Sequence, residues 1–163
     1  MIKTVIFDWG DTIMRDYPEL PGTMCSWAHV EWIPGAKELL ESLKDRFDLV
    51  VASNSGESNT QDMIDALKRV GADTYFQYFF TSDELKFNKP DKRFFLSIFQ
   101  RLNILPQESV MIGNNYAKDI VGAKEVDMKT IYFNEKREIG DFAMADITIH
   151  KMIDAIPFFA YAK

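Results

Sequence analysis

Four polar stretches of this chain could carry chemistry, three of them where short apolar runs end and one just before a helix. The first is Phe7-Asp8-Trp9-Gly10-Asp11-Thr12, directly after the β-branched and aromatic run from Thr4. A carboxylate that closes a buried strand points into the crevice where open α/β sheets bind ligands. Asp8 can serve there as nucleophile, base or metal ligand; an ordinary loop or capping aspartate fits the same place. Gly10 allows close approach of the backbone, so its carbonyl can reach a cation. The second stretch, Ser53-Asn54, follows Val50-Val51-Ala52. The Ser53 hydroxyl and the Asn54 amide can hydrogen-bond a phosphoryl oxygen, or simply turn the chain with Ser55-Gly56. The third holds Lys89, in Asn88-Lys89-Pro90-Asp91. Its ammonium can neutralise a carboxylate and a phosphate together, or it is a solvated lysine. The fourth runs from Gly113 through Asn114 and Asn115 to Asp119. It offers a place for an anion-bound metal, or Asn114 and Asn115 cap a helix.

Positioning these stretches requires strands that alternate with helices. Thr4–Phe7, Leu49–Ala52, Tyr78–Phe80, Val110–Ile112, Thr130–Phe133 and Ile147–Ile149 read as strands. Pro34-Gly35 opens a helix carrying Leu39, Leu40 and Leu43. Met63, Ile64, Leu67 and Val70 make one stripe of a second helix. A third begins near Asp91 and carries Phe94, Phe95, Ile98, Phe99 and Leu102; another runs from about Ala117 to Glu125, and a short helix closes the chain. Residues 13 to 33, with Pro18, Pro21 and Gly22, read as a loop or short hairpin. This alternation predicts an α/β fold, a single Rossmann-like three-layer sandwich with a mainly parallel sheet.

With 163 residues, 47% of them hydrophobic and 13 of them Phe, the chain has material for one core. Its net charge of −6 disfavours nucleic acid and anionic membrane surfaces as partners. The single cysteine, Cys25, excludes an intrachain disulfide and a cysteine metal site. No apolar run approaches the roughly 20 residues of a membrane span, and the N-terminus lacks a signal-peptide pattern. A cytoplasmic protein is expected.

Taken in order, the four stretches resemble the four motifs of the haloacid dehalogenase superfamily. Asp8–Thr12 resembles the nucleophile loop, Ser53 the second motif, Lys89 the third and Gly113–Asp119 the acidic fourth. The segment from Asp119 to Lys124 is similar to the family's stretch just after its fourth motif. The resemblance runs from Ile2 to Phe133. It implies a hydrolase of the phosphatase type, in which Asp8 attacks phosphorus and forms an aspartyl-phosphate. It implies Mg2+ held by Asp8, the Gly10 carbonyl and a side chain of the fourth motif, Asn114 or Asp119. Ser53 and Lys89 would bind the transferring phosphoryl group, with Asn54, Thr12 and Trp9 beside them; Trp9 could equally be packing. The partner implied is a small phosphorylated metabolite.

Two positions depart from the family pattern. Gly10 stands where phosphatases carry a second aspartate that works as general acid and base. Asp11 lies one residue further on, and a strand-exit loop is not free to slide by one residue, so Asp11 is not expected to replace it fully. Losing a general acid costs about 10²- to 10⁴-fold. Asn114 stands where an aspartate ligand is usual, and a neutral ligand should weaken divalent binding. Alternative readings are therefore phosphonate or carbon–halogen cleavage on the same fold, or a binding or regulatory protein with a weakened site.

Family caps insert after the first motif or between the second and third. Here 40 residues separate Thr12 from Ser53 and 35 separate Ser53 from Lys89. Neither gap accommodates a cap domain, so a capless single domain is expected over residues 1–163, with residues 13–33 as a flap. Its Tyr17, Trp27, His29 and Trp32 could cover the site, form a dimer surface or pack on the domain, and either a monomer or a homodimer is compatible with this. His29 could reach the site and supply a proton; His150 reads as structural or solvated.

Overall fold

A computed structural model describes residues 1–161. Six strands form one parallel sheet in the order β3-β2-β1-β4-β5-β6. They are β1 (Thr4–Phe7), β2 (Asp48–Ser53), β3 (Tyr78–Thr81), β4 (Ser109–Gly113), β5 (Lys129–Phe133) and β6 (Ile147–Ile149). The strand order turns back between β1 and β4. That reversal opens a crevice at the carboxyl ends of the central strands, and β1 delivers Asp8 to it. The Asp8 N–H carries the ladder one bond further, donating to the Ile112 carbonyl at 2.9 Å.

The central strands are apolar at consecutive positions because both sheet faces are covered. Val5, Phe7, Val51, Val110 and Ile112 point to one core. Ile6, Val50, Ala52 and Met111 point to the other. Helices α1 (Ala36–Leu43), α2 (Thr60–Val70) and α6 (Ile156–Ala160) cover the first face. Helices α3 (Ser82–Leu85), α4 (Lys92–Leu102) and α5 (Gly122–Lys124) lie on the second. The expected three-layer α/β sandwich is thus present.

Local signals set the helix ends. Asn59 and Asp62 form a reciprocal capping box at the start of α2, and Gly71 closes it at φ +75°. The Asp91 carboxylate accepts the Arg93 N–H at the start of α4.

Two elements differ from expectation. The helix expected over 117–125 is a widened π-helical turn, Tyr116–Val121, running into the single turn α5. A Cβ on Gly122 would lie 2.9 Å from both the Pro90 Cα and carbonyl oxygen, so this turn is pressed against the Lys89–Pro90 loop. α3 is one turn long, too short to reveal a period in the sequence.

The flap holds only a 3₁₀ turn, Met24–Ser26, and two isolated bridges, Gly10 to Met14 and Met14 to Trp32. Its aromatics pack on the domain. Trp27 is buried, and Tyr17 and Trp32 lie partly buried on the same core. The Trp32 indole donates to the Val70 carbonyl at 3.1 Å, and the Arg69 guanidinium bonds the carbonyls of Cys25, Trp27 and Ala28. Among the described residues no helix is long and apolar enough to cross a membrane.

Candidate active site

Three charged groups, Asp8 at the end of β1, Lys89 from the loop between α3 and α4 and Asp119 from the widened turn after β4, meet beneath the crevice. Lys89 Nζ donates to Asp8 Oδ1 at 2.8 Å, to Asp119 Oδ1 at 2.7 Å and to the Ala52 carbonyl at 3.1 Å. All three ammonium donors are thereby used. Lys89 is 3% exposed, Asp119 1% and Asp8 9%. Desolvating such ions costs several kcal/mol each, offset only by close pairing and saturated hydrogen bonds. Burial alone would lower the Lys89 pKa, but Asp119 and Asp8 outweigh it and hold the ammonium charged. Burial, then the Asp8 charge, pushes the Asp119 carboxyl up to about 6 against the pull of Lys89. One ammonium between two carboxylates leaves a net negative cluster, which cannot receive a phosphate dianion without another cation.

The loop around Lys89 is held from β2. Asn54 Oδ1 accepts the Lys89 N–H at 2.8 Å and its amide donates to the Lys89 carbonyl at 3.0 Å. The side-chain amide expected to meet a phosphoryl oxygen is therefore engaged with the lysine main chain. Asp119 is held just as closely. Its second oxygen accepts the Asn115 N–H at 3.0 Å. A Cβ on Gly113 would stand 2.2 Å from that same oxygen, so only glycine fits there. The widened turn brings Asp119 inward, behind Gly113 and onto Lys89.

On the other side of Asp8 lies a cluster of oxygens. The inner atom of the Asn114 amide stands 3.0 Å from Asp8 Oδ2, 3.2 Å from the Gly10 carbonyl and 3.2 Å from Thr12 Oγ1. As nitrogen, it donates to all three. As oxygen, it completes a set of acceptors that calls for a cation. Neighbouring ligands of an octahedral magnesium, each at about 2.1 Å, lie about 3.0 Å apart. Asp8, the Gly10 carbonyl and Asn114 therefore fit a hard divalent ion in chemistry, with the Asn114 amide at about that spacing from each of the other two. Asp119, the alternative ligand, has both oxygens occupied by Lys89 and Asn115. Among the described residues no three His, Cys, Asp or Glu side chains form a metal cluster, so any cation site here includes carbonyl and amide oxygens.

Two clefts flank the Asp8 loop. One, of about 390 Å³, is lined by Trp9, Gly10, Asp16, Ser53 and Asn54 with part of the flap. The other, of about 430 Å³, is lined by Asp11, Asn114, Tyr116 and Glu135 among others. Among the described residues Ser53 Oγ makes only a 3.2 Å bond to the Asn54 carbonyl. Trp9 is mostly buried, its indole directed at the Met14 sulfur at 3.4 Å. Thr12 is fully buried beneath Asp8, 3.5 Å from Oδ2, and does not line the first cleft.

His29 is exposed beside Glu31 and lines neither cleft. His150 is bonded through Nδ1 to the Asn134 carbonyl at 2.8 Å. Asp16, a residue the sequence pattern did not single out, lines the Ser53 cleft. Partial burial, then the Asp11 charge, raises its carboxyl pKa from the ordinary value.

Comparison with known proteins agrees with this architecture. Residues 7–133 match the family model described as haloacid dehalogenase-like hydrolase. A protein named glyceraldehyde 3-phosphate phosphatase from Pyrococcus furiosus is 27% identical over 130 residues, 80% of this chain and 52% of that protein. Its namesake from Methanothermobacter thermautotrophicus is 35% identical over 104 residues, 63% of this chain and 45% of that protein. The chain thus spans about half the length of the curated relatives it matches. The crystal structure of an uncharacterized protein from Listeria monocytogenes serotype 4b superposes with a TM-score of 0.84 at 25% identity, covering 99% of this chain and 98% of that one. With the four motif positions gathered at the carboxyl end of the sheet and the family model spanning most of its length, the chain belongs to the haloacid dehalogenase-like hydrolases.

Proposed function

We propose that this chain hydrolyses phosphate monoesters of small metabolites in the presence of Mg2+, with Asp8 as nucleophile. The observation that carries the reading is the two-sided environment of the Asp8 carboxylate. Lys89 holds one oxygen at 2.8 Å, and the other faces Asn114, with the Gly10 carbonyl bordering the same amide. The names of the phosphatases from Pyrococcus furiosus and Methanothermobacter thermautotrophicus support the same substrate class.

Phosphoryl transfer depends mostly on positioning and charge, and the residues here divide that work. Asp8 stands at the strand tip with its backbone tied into the sheet, so its carboxylate meets phosphorus at small entropic cost. Attack forms the bond from Asp8 oxygen to phosphorus as the ester oxygen leaves; water then releases phosphate and restores the carboxylate. Lys89 neutralises charge on the transferring group, and Asp119 and Asn54 hold it in place. The Ser53 hydroxyl, weakly engaged at 3.2 Å, is free to turn to a phosphoryl oxygen. Asp8, the Gly10 carbonyl and Asn114 would hold magnesium, which when bound supplies positive charge against the phosphoryl oxygens.

The test is a panel of sugar phosphates, triose phosphates and p-nitrophenyl phosphate, assayed with magnesium and with chelator, beside Asp8→Asn. Turnover should require the metal and disappear in the variant. Metal-independent turnover, or turnover that survives Asp8→Asn, overturns the reading.

A further inference from the structure

Gly10 removes the carboxylate expected two residues after the nucleophile, and another carboxylate stands in its space. A Cβ built on Gly10 would lie 3.4 Å from Asp16 Cβ, 3.6 Å from its Cγ and 3.6 Å from its Oδ2. The Asp16 side chain thus stands in van der Waals contact with the point from which a side chain at position 10 would start. It lines the same cleft as Trp9 and Ser53. Among the described residues it makes no ion pair, so its carboxylate is not committed to a cation.

The other candidate, Asp11, faces elsewhere. It has φ +55°, its Oδ1 accepts the Asp16 N–H at 3.0 Å, and the same oxygen lies 3.5 Å from Arg15. It lines the opposite cleft, with Asn114 and Glu135. Sequence proximity favours Asp11, whereas the folded loop brings Asp16 to the Ser53 side.

The loop is built to present Asp16. The Arg15 guanidinium makes a bidentate pair with Glu135, at 2.7 and 2.8 Å, and the Arg15 N–H donates to the Glu31 carbonyl at 3.0 Å. Arg15 is thereby turned to the Glu135 side, while its neighbour Asp16 lies on the Gly10 side. The Asp16 N–H bond to Asp11 locks the arrangement.

We propose that Asp16 is the general acid and base of this site, delivered from the flap in place of a residue at position 10. The proposal rests on the phosphatase reading above. As the bond from Asp8 oxygen to phosphorus forms and the ester bond breaks, the Asp16 carboxyl gives its proton to the departing oxygen. Its carboxylate then takes a proton from the water whose oxygen attacks the aspartyl-phosphate. Asp8 and inorganic phosphate are released, and Asp16 returns to its acid form.

Leaving-group dependence tests this assignment. An alkyl leaving group needs the proton, whereas p-nitrophenolate barely does. Asp16→Asn should lower kcat/KM, which reads only the transfer to Asp8 and not the later hydrolysis that every substrate shares, about 10²- to 10⁴-fold on glycerol phosphate, while kcat/KM on p-nitrophenyl phosphate falls less than about tenfold. The double variant Gly10→Asp with Asp16→Gly should recover at least about tenfold on glycerol phosphate over Asp16→Gly alone. Asp16→Asn retains an acceptor for the local turn, and its unfolding midpoint is measured alongside. Equal losses on both substrates, or an unchanged rate on glycerol phosphate, overturn the assignment. Wild-type turnover that survives Asp8→Asn defeats the phosphatase reading itself, and this proposal with it.

Discussion

Replacing Gly113 by alanine probes the whole charged cluster through one methyl group. The added Cβ would lie 2.2 Å from Asp119 Oδ2, 2.4 Å from Cγ and 2.6 Å from Cβ, whereas ordinary contact begins at 3.4 Å. Asp119 must retreat by more than 1 Å or the end of β4 must move. Asp119 has no slack, because one oxygen holds Lys89 at 2.7 Å and the other accepts the Asn115 N–H at 3.0 Å. Both bonds involve a charged group and are worth roughly 1.5–3 kcal/mol each, and overpacking adds about 1–3 kcal/mol. Because the side chain can shift partway, a loss of about 3–6 kcal/mol is expected. For a domain of this size that is a fall in unfolding midpoint on the order of 10 °C. Urea unfolding followed by circular dichroism gives the free energy, and turnover of p-nitrophenyl phosphate on the folded fraction reports Lys89. Turnover should fall at least about tenfold. A cost below about 1 kcal/mol with full activity would show that Asp119 yields freely, and would refute the idea that Gly113 and Asp119 jointly fix Lys89.

Lys89→Met leaves Asp8 and Asp119 buried without their cation; it should cost about 3–5 kcal/mol in urea unfolding at neutral pH and lower kcat about 10²- to 10³-fold. Asn114→Asp adds a charge to the oxygen cluster and should tighten magnesium about tenfold or more, read by calorimetric titration; unchanged affinity would remove Asn114 from the cation site. The Asp91 carboxyl is drawn down to about 2, first by the Arg93 side chain and then by the Arg93 N–H. Its native pKa is below the unfolded value of 3.8, so its contribution is complete above about pH 4 and vanishes as pH falls through about 2. The stability difference between wild type and Asp91→Asn should shrink over that window in urea midpoints; a difference that is flat with pH contradicts the pairing.

The sheet was legible because its central strands are short runs of consecutive apolar residues, alternating with helical patterns as a doubly covered parallel sheet requires. Three of the motif positions were legible because each ends such a run, and Lys89 because it stands just before a helix. Side-chain roles at those ends were harder. Asn54 looked like a phosphate donor, yet its amide is closed on the Lys89 main chain, a partner 35 residues away that no local pattern indicates. Thr12 belongs to the nucleophile loop, but the loop curls and buries its hydroxyl below Asp8. The helix expected over 117–125 widens because Asp119 has to reach inward while Gly122 packs against Pro90, a constraint invisible to hydrophobic period. Asp16 escaped notice because the flap has no period at all, and its neighbourhood with Gly10 exists only after folding. The flap aromatics followed simple hydrophobic burial, and Trp27 and Trp32 went to the domain.

The bonds that tie Arg69 and Trp32 across the flap bear on traffic through the cleft. They fasten the stretch from Cys25 to Trp32 to α2 at both ends. On the phosphatase reading proposed above, the far wall of the Ser53 cleft would therefore move only by breaking those bonds, and cutting the ones made by Arg69, in Arg69→Ala, should widen the range of esters accepted.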